Sequence, residues 1–406
     1  MKNEHATATA EDPYRWVMLG LLWLLYFAFG TVIRSMSPLI TPILRDLDMS
    51  YGQMGFVLGS WQMTYIAFAI LAGVVMDRWG IRNSIFFGTL VIGLSISLRF
   101  FANGFAALLI FVALFGIGGP MISIGAPKTI SIWFKGRDRG TAVGIYTTGP
   151  WIGGIVALAI TNSLIMPLTG QSWRLTFVCY GAMTFLFAAL WWSLAKEVKA
   201  GDDSRGFRPY KVLLDLVKVP TVRIILLSGL LSFAMMHGFT NWLPKILENG
   251  GLSPANAGVA AALPFVASIP AVLAIPRLVP QTMRGSIIAL AALFTAAAII
   301  LVTLGYLRIL GLLLYGFAGS CVFPLLILAL IDAPYVGPEY LGSAAGVFFC
   351  VAEIGGFWGP FIVGFLVDWT GTFMAGVSFL AFMGIVICVL MFFLQAESGI
   401  ASTQSE

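Results

Sequence analysis

Apolar runs long enough to cross a lipid bilayer recur along this chain. The two that flank residues 77–83, Phe56–Met76 and Ser84–Phe100, already narrow what it can fold into. Of the 406 residues, 59% are hydrophobic and only 10% are charged, where a soluble domain carries about 25% charge. Such a chain lives in lipid, where only helices and closed barrels satisfy every backbone group. The runs are continuous rather than alternating, which selects helices. Spans of about 20 residues fall near 16–43, 52–76, 84–102, 105–132, 139–163, 174–194, 223–247, 254–276, 285–305, 308–332, 341–366 and 372–395. The polar start, Met1–Tyr14, carries Glu4, Glu11 and Asp12 and does not read as a cleaved signal peptide. Cys179, Cys321, Cys350 and Cys388 fall inside spans without metal spacing and read as small buried hydrophobes.

The positive charges orient the spans. Sixteen of the 23 Lys and Arg lie on the side of the N-terminus, four lie in opposite loops and span edges, and Arg34, Arg99 and Lys128 lie inside spans. That bias places both termini in the cytoplasm. Because the positives sit in loops, a net charge of +5 does not point to nucleic acid. The longest polar stretch, Ala195–Arg223, divides the chain near its middle. Its Asp202–Gly206 reads as a flexible linker, and Tyr210–Val219 as a short helix on the membrane surface.

The two halves repeat at an offset of 202. Pro42 meets Pro244, and Arg82-Asn83-Ser84 meets Arg284-Gly285-Ser286. Gly140-Thr141-Ala142-Val143-Gly144 meets Gly342-Ser343-Ala344-Ala345-Gly346, and Gly153-Gly154 meets Gly355-Gly356. Parallel six-span repeats are a transporter architecture, with the substrate site at the repeat interface near mid-membrane.

One loop is more specific. Gly73-Val74-Val75-Met76-Asp77-Arg78-Trp79-Gly80-Ile81-Arg82 has the form G-x-x-x-D-R-x-G-x-R. Glycines permit a tight turn there, and the charges stay at the water boundary. Any basic turn would obey the positive-inside rule, but this order is narrower. It resembles the loop between helices 2 and 3 of the major facilitator superfamily. Trp133–Gly144 resembles the family's loop between helices 4 and 5, and Gly149-Pro150-Trp151-Ile152-Gly153-Gly154 resembles the core of its helix 5 motif. That last motif is associated with exchangers, but Ile145 stands where the fuller pattern has glycine, and close helix packing explains the small residues equally well. Leu98-Arg99, Thr240–Pro244 and Phe323–Leu330 are similar to the cyanate-transporter-like branch, which implies a small anionic substrate. The resemblance implies a gating role for Gly73, Asp77, Arg78, Gly80 and Arg82, with Asp77 latching the outward-open state at the cytoplasmic side. The second-half copy, Arg277–Arg284, has lost the acid, so the latch is expected to be asymmetric.

Polar groups inside spans are costly and call for a reason. Arg34 lies deep in the first span, before the helix-loosening Ser35-Met36-Ser37-Pro38. A guanidinium there costs about 3 kcal/mol or more. It stands roughly 16 Å along the helix from Arg45, too far to snorkel easily, and its planar fork suits a carboxylate or similar anion. Glu353 falls near the middle of span 11, where low dielectric favours its protonated form. That suits proton coupling, and also a hydrogen-bonded structural acid or a partner for Arg34. His237 sits near the middle of span 7, within one residue of the repeat partner of Arg34, with Asn241 one turn on. Tyr146, Thr147 and Thr148 offer hydroxyls. Arg99 and Lys128 lie near span ends and read as snorkelling charges.

The expected protein is therefore an all-α membrane protein of twelve helices in two pseudo-symmetric six-helix bundles. Its parts are a tail at 1–15, bundles at 16–194 and 223–395, a cytoplasmic linker at 195–222 and a tail at 396–406. The expected activity is secondary transport of a small anion through the plasma (inner) membrane, by a chain that works as a monomer. Arg34, His237, Asn241 and Tyr146 would hold the substrate, and Glu353 or His237 would carry the proton. The alternatives are a proton-driven drug or metabolite exchanger and a receptor without flux on the same fold. No nucleotide loop, catalytic triad or metal cluster stands in the sequence, so no cofactor and no enzyme activity are expected.

Overall fold

The computed structural model describes residues 13–197, 218–333 and 341–403, and the regular elements among them are helices. The spans are α1 (Tyr14–Leu47), α2 (Tyr51–Trp79), α3 (Ile81–Phe101), α4 (Phe105–Trp133), α5 (Gly136–Leu168), α6 (Trp173–Leu194) and α7 (Pro220–Asn249). They continue as α8 (Pro254–Leu278), α9 (Arg284–Leu304), α10 (Arg308–Ile331), α11 (Leu341–Thr370) and α12 (Phe373–Thr403). Eleven contain a continuous apolar window long enough to cross a membrane; α2 passes as a bent pair, Tyr51–Ala69 with Leu71–Trp79. With that bent pair taken as one span, twelve apolar helices follow one another among the described residues, as the hydropathy pattern requires. The start of the N-terminal tail, Asp202–Gly206 and nearly all of the surface helix expected at Tyr210–Val219 lie outside the described residues.

By contact the chain forms two compact units. One comprises Met1–Leu39 and Met63–Ser204, the other Ile40–Gln62 and Arg205–Glu406. The division does not follow chain order: the end of α1 and the first half of α2 pack in the second unit.

Glycine decides the closest helix pairs. In the first unit, a Cβ on Gly153 would overlap the carbonyl oxygen of Phe27, and one on Gly30 would overlap that of Pro150. Helices α1 and α5 therefore touch backbone to backbone, and Thr31 Oγ1 donates to the Gly153 carbonyl at 3.2 Å across the contact. In the second unit, Gly355 meets the Leu230 carbonyl and Gly359 the Ala234 carbonyl in the same way, joining α11 to α7. Gly153 and Gly355 are partners in the 202-residue repeat, so each half uses the same position to seat its first helix. In lipid, where apolar side chains gain little by leaving one apolar surface for another, such close approach holds helices together. The Gly149–Gly154 segment resembling an exchanger motif is part of this packing.

The outer surface of the helices is apolar, with Phe101, Leu168, Trp369 and Phe392 all exposed, as a lipid-facing surface requires. Cys321 and Cys388 are buried and Cys350 is intermediate, but Cys179 is exposed on α6. For a small apolar side chain the lipid face costs no more than the interior, so span membership alone did not decide its burial.

Candidate functional site

In the first unit, α1 loses regular helix directly after Arg34. Ser35 and Met36 form a turn, and Ser37–Leu39 is a single 3₁₀ turn. Pro38 has no N–H to continue the ladder. Its carbonyl is taken by Asn162 Nδ2 at 2.9 Å, from a π-helical turn of α5 at Thr161–Ile165. Arg34 itself is only 9% exposed, and its stem lies on Gly154, whose Cβ position is 3.1 Å from Arg34 Cγ. Tyr146 on α5 is buried, with its ring edge-on to Tyr26 of α1 at 5.4 Å. The neighbouring hydroxyls serve the helices: Thr147 bonds back to the Val143 carbonyl, and Thr148 accepts from Trp23 Nε1 at 2.9 Å.

Arg99 does not snorkel. It is 2% exposed in the 3₁₀ turn ending α3, with its guanidinium 5.3 Å from the centre of the Phe177 ring. A ring face on α6 satisfies part of the charge, a contact between helices that position in the span could not indicate. Lys128 likewise has a specific partner, since its Nζ lies 2.9 Å from Asp77 Oδ1.

The glycine-rich loop between α2 and α3 is built around a helix start. Gly80, at φ +80°, precedes the first turn of α3, a conformation side chains other than glycine rarely adopt. The Glu197 carboxylate lies over this turn and accepts from the backbone N–H groups of Ile81 and Arg82. A Cβ at position 80 would stand 2.5 Å from Glu197 Oε1. Arg82 donates to the Trp192 carbonyl and places its guanidinium 4.8 Å from the Trp192 ring centre. Asp77 pairs with Lys128, Arg78 is exposed at the end of α2, and the Cβ position of Gly73 faces open space.

In the second unit, His237 and Asn241 are 5% and 3% exposed, one turn apart on α7. Glu353 lies on α11 near His237. A Cβ on Gly356, one turn after Glu353, would stand 2.9 Å from Glu353 Oε2, 3.1 Å from His237 Cδ2 and 3.3 Å from Gln62 Nε2. Three polar side chains from α11, α7 and α2 thus converge on one glycine. Aromatic rings wall the cluster: Trp61 lies 6.0 Å from the His237 ring and Phe233 5.7 Å from it. Gln62 is absent from the sequence expectations. It is an uncharged amide in the run Phe56–Met76, and unlike Asn241, which stands one turn from His237, it has no charged residue or histidine one turn away to mark it.

The unit containing Arg34 and Tyr146 and the unit containing His237, Asn241 and Glu353 are each helical and polar at single points. Repeated six-helix architecture with isolated polar groups inside the spans defines a solute transporter. The chain belongs to the major facilitator superfamily: that family's profile matches residues 22–360. It is 26% identical to a hexuronate transporter of Bacillus subtilis over 84% of this chain and 85% of that protein. It is 22% identical to a putative tartrate transporter of Agrobacterium vitis, over 87% and 84%. In fold it is similar to a bacterial homolog of the human lysosomal transporter Spinster, solved in an inward-facing and occupied conformation. That likeness has a TM-score of 0.72 at 18% identity, over 97% of this chain and 98% of that one. These proteins are transporters rather than enzymes.

Proposed function

We propose that this protein is a proton-coupled secondary transporter for a small organic anion of the sugar-acid class, working by alternating access. The observation that carries the reading is the burial of Arg34 at the point where α1 breaks. A guanidinium held inside a span costs about 3 kcal/mol, and its planar fork is matched by a carboxylate. Tyr146 offers a hydroxyl one helix away in the same unit. The hexuronate and tartrate specificities of the named relatives support a hydroxylated carboxylate as cargo. In the second unit, Glu353 carries the proton, with His237 near it as proton partner and Asn241, one turn from His237, as substrate partner. Gly73, Asp77, Arg78, Gly80 and Arg82 form the gating loop. The charge bias supports both termini on the cytoplasmic side of the plasma membrane. The transport route runs within one chain, so the monomer is the working unit.

The test uses purified protein in liposomes loaded with a pH dye. A hexuronate, tartrate, cyanate, nitrite, short monocarboxylates and several hydrophobic cations are added in turn. Interior acidification with one anion is expected, with loss of anion entry in Arg34→Gln and Arg34→Lys and loss of the proton signal in Glu353→Gln. Wild-type flux in both Arg34 variants would remove the anion assignment. Proton movement with cations alone, outward against their entry, would establish the exchanger instead.

A further inference from the structure

Gln62 stands at the end of a close seam between the first half of α2 and α11, both within the second unit. A Cβ on Gly55 would overlap the Pro360 carbonyl, and one on Gly364 would overlap the Tyr51 carbonyl. One on Gly59 would stand 2.6 Å from the Phe357 carbonyl. Glycines on both helices thus allow contact along about three turns. The last tie in the seam is Gln62, whose Nε2 donates to the Gly356 carbonyl at 3.2 Å.

The other end of that amide is unsatisfied. Gln62 is 0% exposed, and among the described residues its Oε1 is buried with no hydrogen-bond partner. Glu353 Oε2 is in the same condition. Glu353 Oε2 and Gln62 Nε2 both border the Cβ position of Gly356, so they lie within about 6 Å of each other. Two side chains that border one glycine, each with a buried acceptor that has no donor among the described residues, form an arrangement that each protonation state of Glu353 completes differently.

We propose that Gln62 is the positioning residue that converts the protonation state of Glu353 into the tightness of the α2–α11 seam. A protonated Glu353 has an O–H to give. Gln62 Oε1 accepts it while Nε2 stays on the Gly356 carbonyl, and the seam is complete. An ionised Glu353 can only accept. It repels Gln62 Oε1 and attracts the amide nitrogen; turning the planar amide to meet it strains the Nε2 bond to Gly356, and the seam between α2 and α11 loosens. A glutamine can serve both states because it carries a donor and an acceptor on one planar group; an apolar residue of equal size can serve neither. The other titratable side chains at this depth on the helices packed against α11 are Tyr65 on α2, His237 on α7, Tyr315 and Cys321 on α10, and Cys388 on α12, with Cys350 on α11 itself. Of these, only His237 ordinarily changes charge near neutral pH, and its variants serve as the control.

The inference rests on the assignment of the proton to Glu353, and the experiment separates the two. Spin labels are placed at Met63→Cys on α2 and Trp358→Cys on α11, exposed positions close in sequence to Gln62 and Gly356, in a background with the four native cysteines replaced by alanine. Distances are measured by pulsed electron resonance in lipid nanodiscs from about pH 5 to about pH 9. In the parent, the ratio of short to long distances is expected to fall about tenfold as pH rises, the scale of one hydrogen bond to a charged group. Glu353→Gln, whose amide N–H mimics the acid O–H, should hold the short distance throughout. Gln62→Met and Gln62→Asn should each reduce the pH step to less than twofold, and His237→Gln should leave it in place. A full step in either folded Gln62 variant, or loss of the step in His237→Gln alone, overturns the role of Gln62. A full step in Glu353→Gln, with proton uptake into liposomes unchanged, instead overturns the proton assignment beneath it.

Discussion

Asp368 Oδ2 accepts a hydrogen bond from the Gly52 N–H at 2.7 Å, and a Cβ at position 52 would stand 2.9 Å from that oxygen. The other carboxylate oxygen accepts from the Tyr51 N–H at 2.9 Å. Ser50 and Gln53 complete the start of α2 as a reciprocal box. Ser50 Oγ accepts from the Gln53 N–H at 3.2 Å, and Gln53 Oε1 from the Ser50 N–H at 3.1 Å. The first N–H groups of a helix have no partners within it, and here each is met. Local sequence supplies one part of the cap, and the end of α11 supplies the rest. Asp368→Asn keeps one acceptor but loses the charge that complements the helix dipole. It should lower stability by about 1 kcal/mol, read as a fall in thermal midpoint in detergent. Gly52→Ala should produce a fall of the same sign, because the carboxylate must retreat.

The backbone contacts at Gly153 and Gly355 predict a different scale of damage. Their neighbours are carbonyl oxygens of α1 and α7, which cannot swing aside as a side chain can. Gly153→Val and Gly355→Val should each separate a helix pair and cost about 3 kcal/mol or more, seen as loss of monodisperse protein on size exclusion. Gly144→Ala, also on α5, meets nothing within 4 Å and should behave as wild type. Equal loss in all three would mean that helix flexibility, rather than close approach, is what these glycines supply.

Those two glycines also mark how far the sequence alone could be read. Their match at one offset was visible without coordinates, as were the twelve apolar runs and the loop around Asp77, because apolarity, charge and glycine spacing are local properties. The cap at Asp368 was not, since its helix start lies 317 residues away from it. Arg99 differs from expectation for a related reason: its depth allows snorkelling, but it is buried in the fold with its guanidinium against the Phe177 ring of another helix. Gln62 was not legible because, unlike Asn241 beside His237, it has no charged residue or histidine one turn away on its own helix. Its importance comes from Glu353 and Gly356, which the fold brings to it.

The second copy of the glycine-rich loop lacks an acid, yet its arginine is not left without one. Arg284 at the start of α9 pairs with Asp332 at the end of α10 and donates to the Leu328 carbonyl at 3.4 Å. In the first unit the acid, Asp77, is in the loop and the base, Lys128, is on α4, so the charges have exchanged places between the repeats. The side chains of Arg284 and Asp332 are 17% and 28% exposed, against 39% and 60% for Lys128 and Asp77. Screening should therefore leave Asp77→Asn within about 1 kcal/mol of wild type in stability. Asp332→Asn, which strips a mostly buried guanidinium of its acid, should cost about 1–2 kcal/mol. Thermal midpoints of the two variants at low and high salt check the order: the Asp77 effect should fade with salt and the Asp332 effect should persist.

Glu197 gives the fold a pH dependence of definite sign. Partial loss of water around its carboxylate at the start of α3 raises its pKa above the ordinary 4.5, and the N–H groups of Ile81 and Arg82 together with the Arg82 charge only partly offset this. The folded protein therefore binds this proton more tightly than the unfolded chain does. Between the ordinary value and the raised one, stability must fall as pH rises. The contribution is present in full below about pH 4.5 and is lost as pH climbs through the folded value. Glu197→Gln cannot ionise, so the difference in thermal midpoint between wild type and variant isolates the effect from every other titrating group. That difference should move against the wild type as pH rises through this window and then level off. Movement in the opposite direction would mean that the two backbone hydrogen bonds outweigh the loss of water, and that Glu197 acts at the α3 start chiefly as an anionic cap.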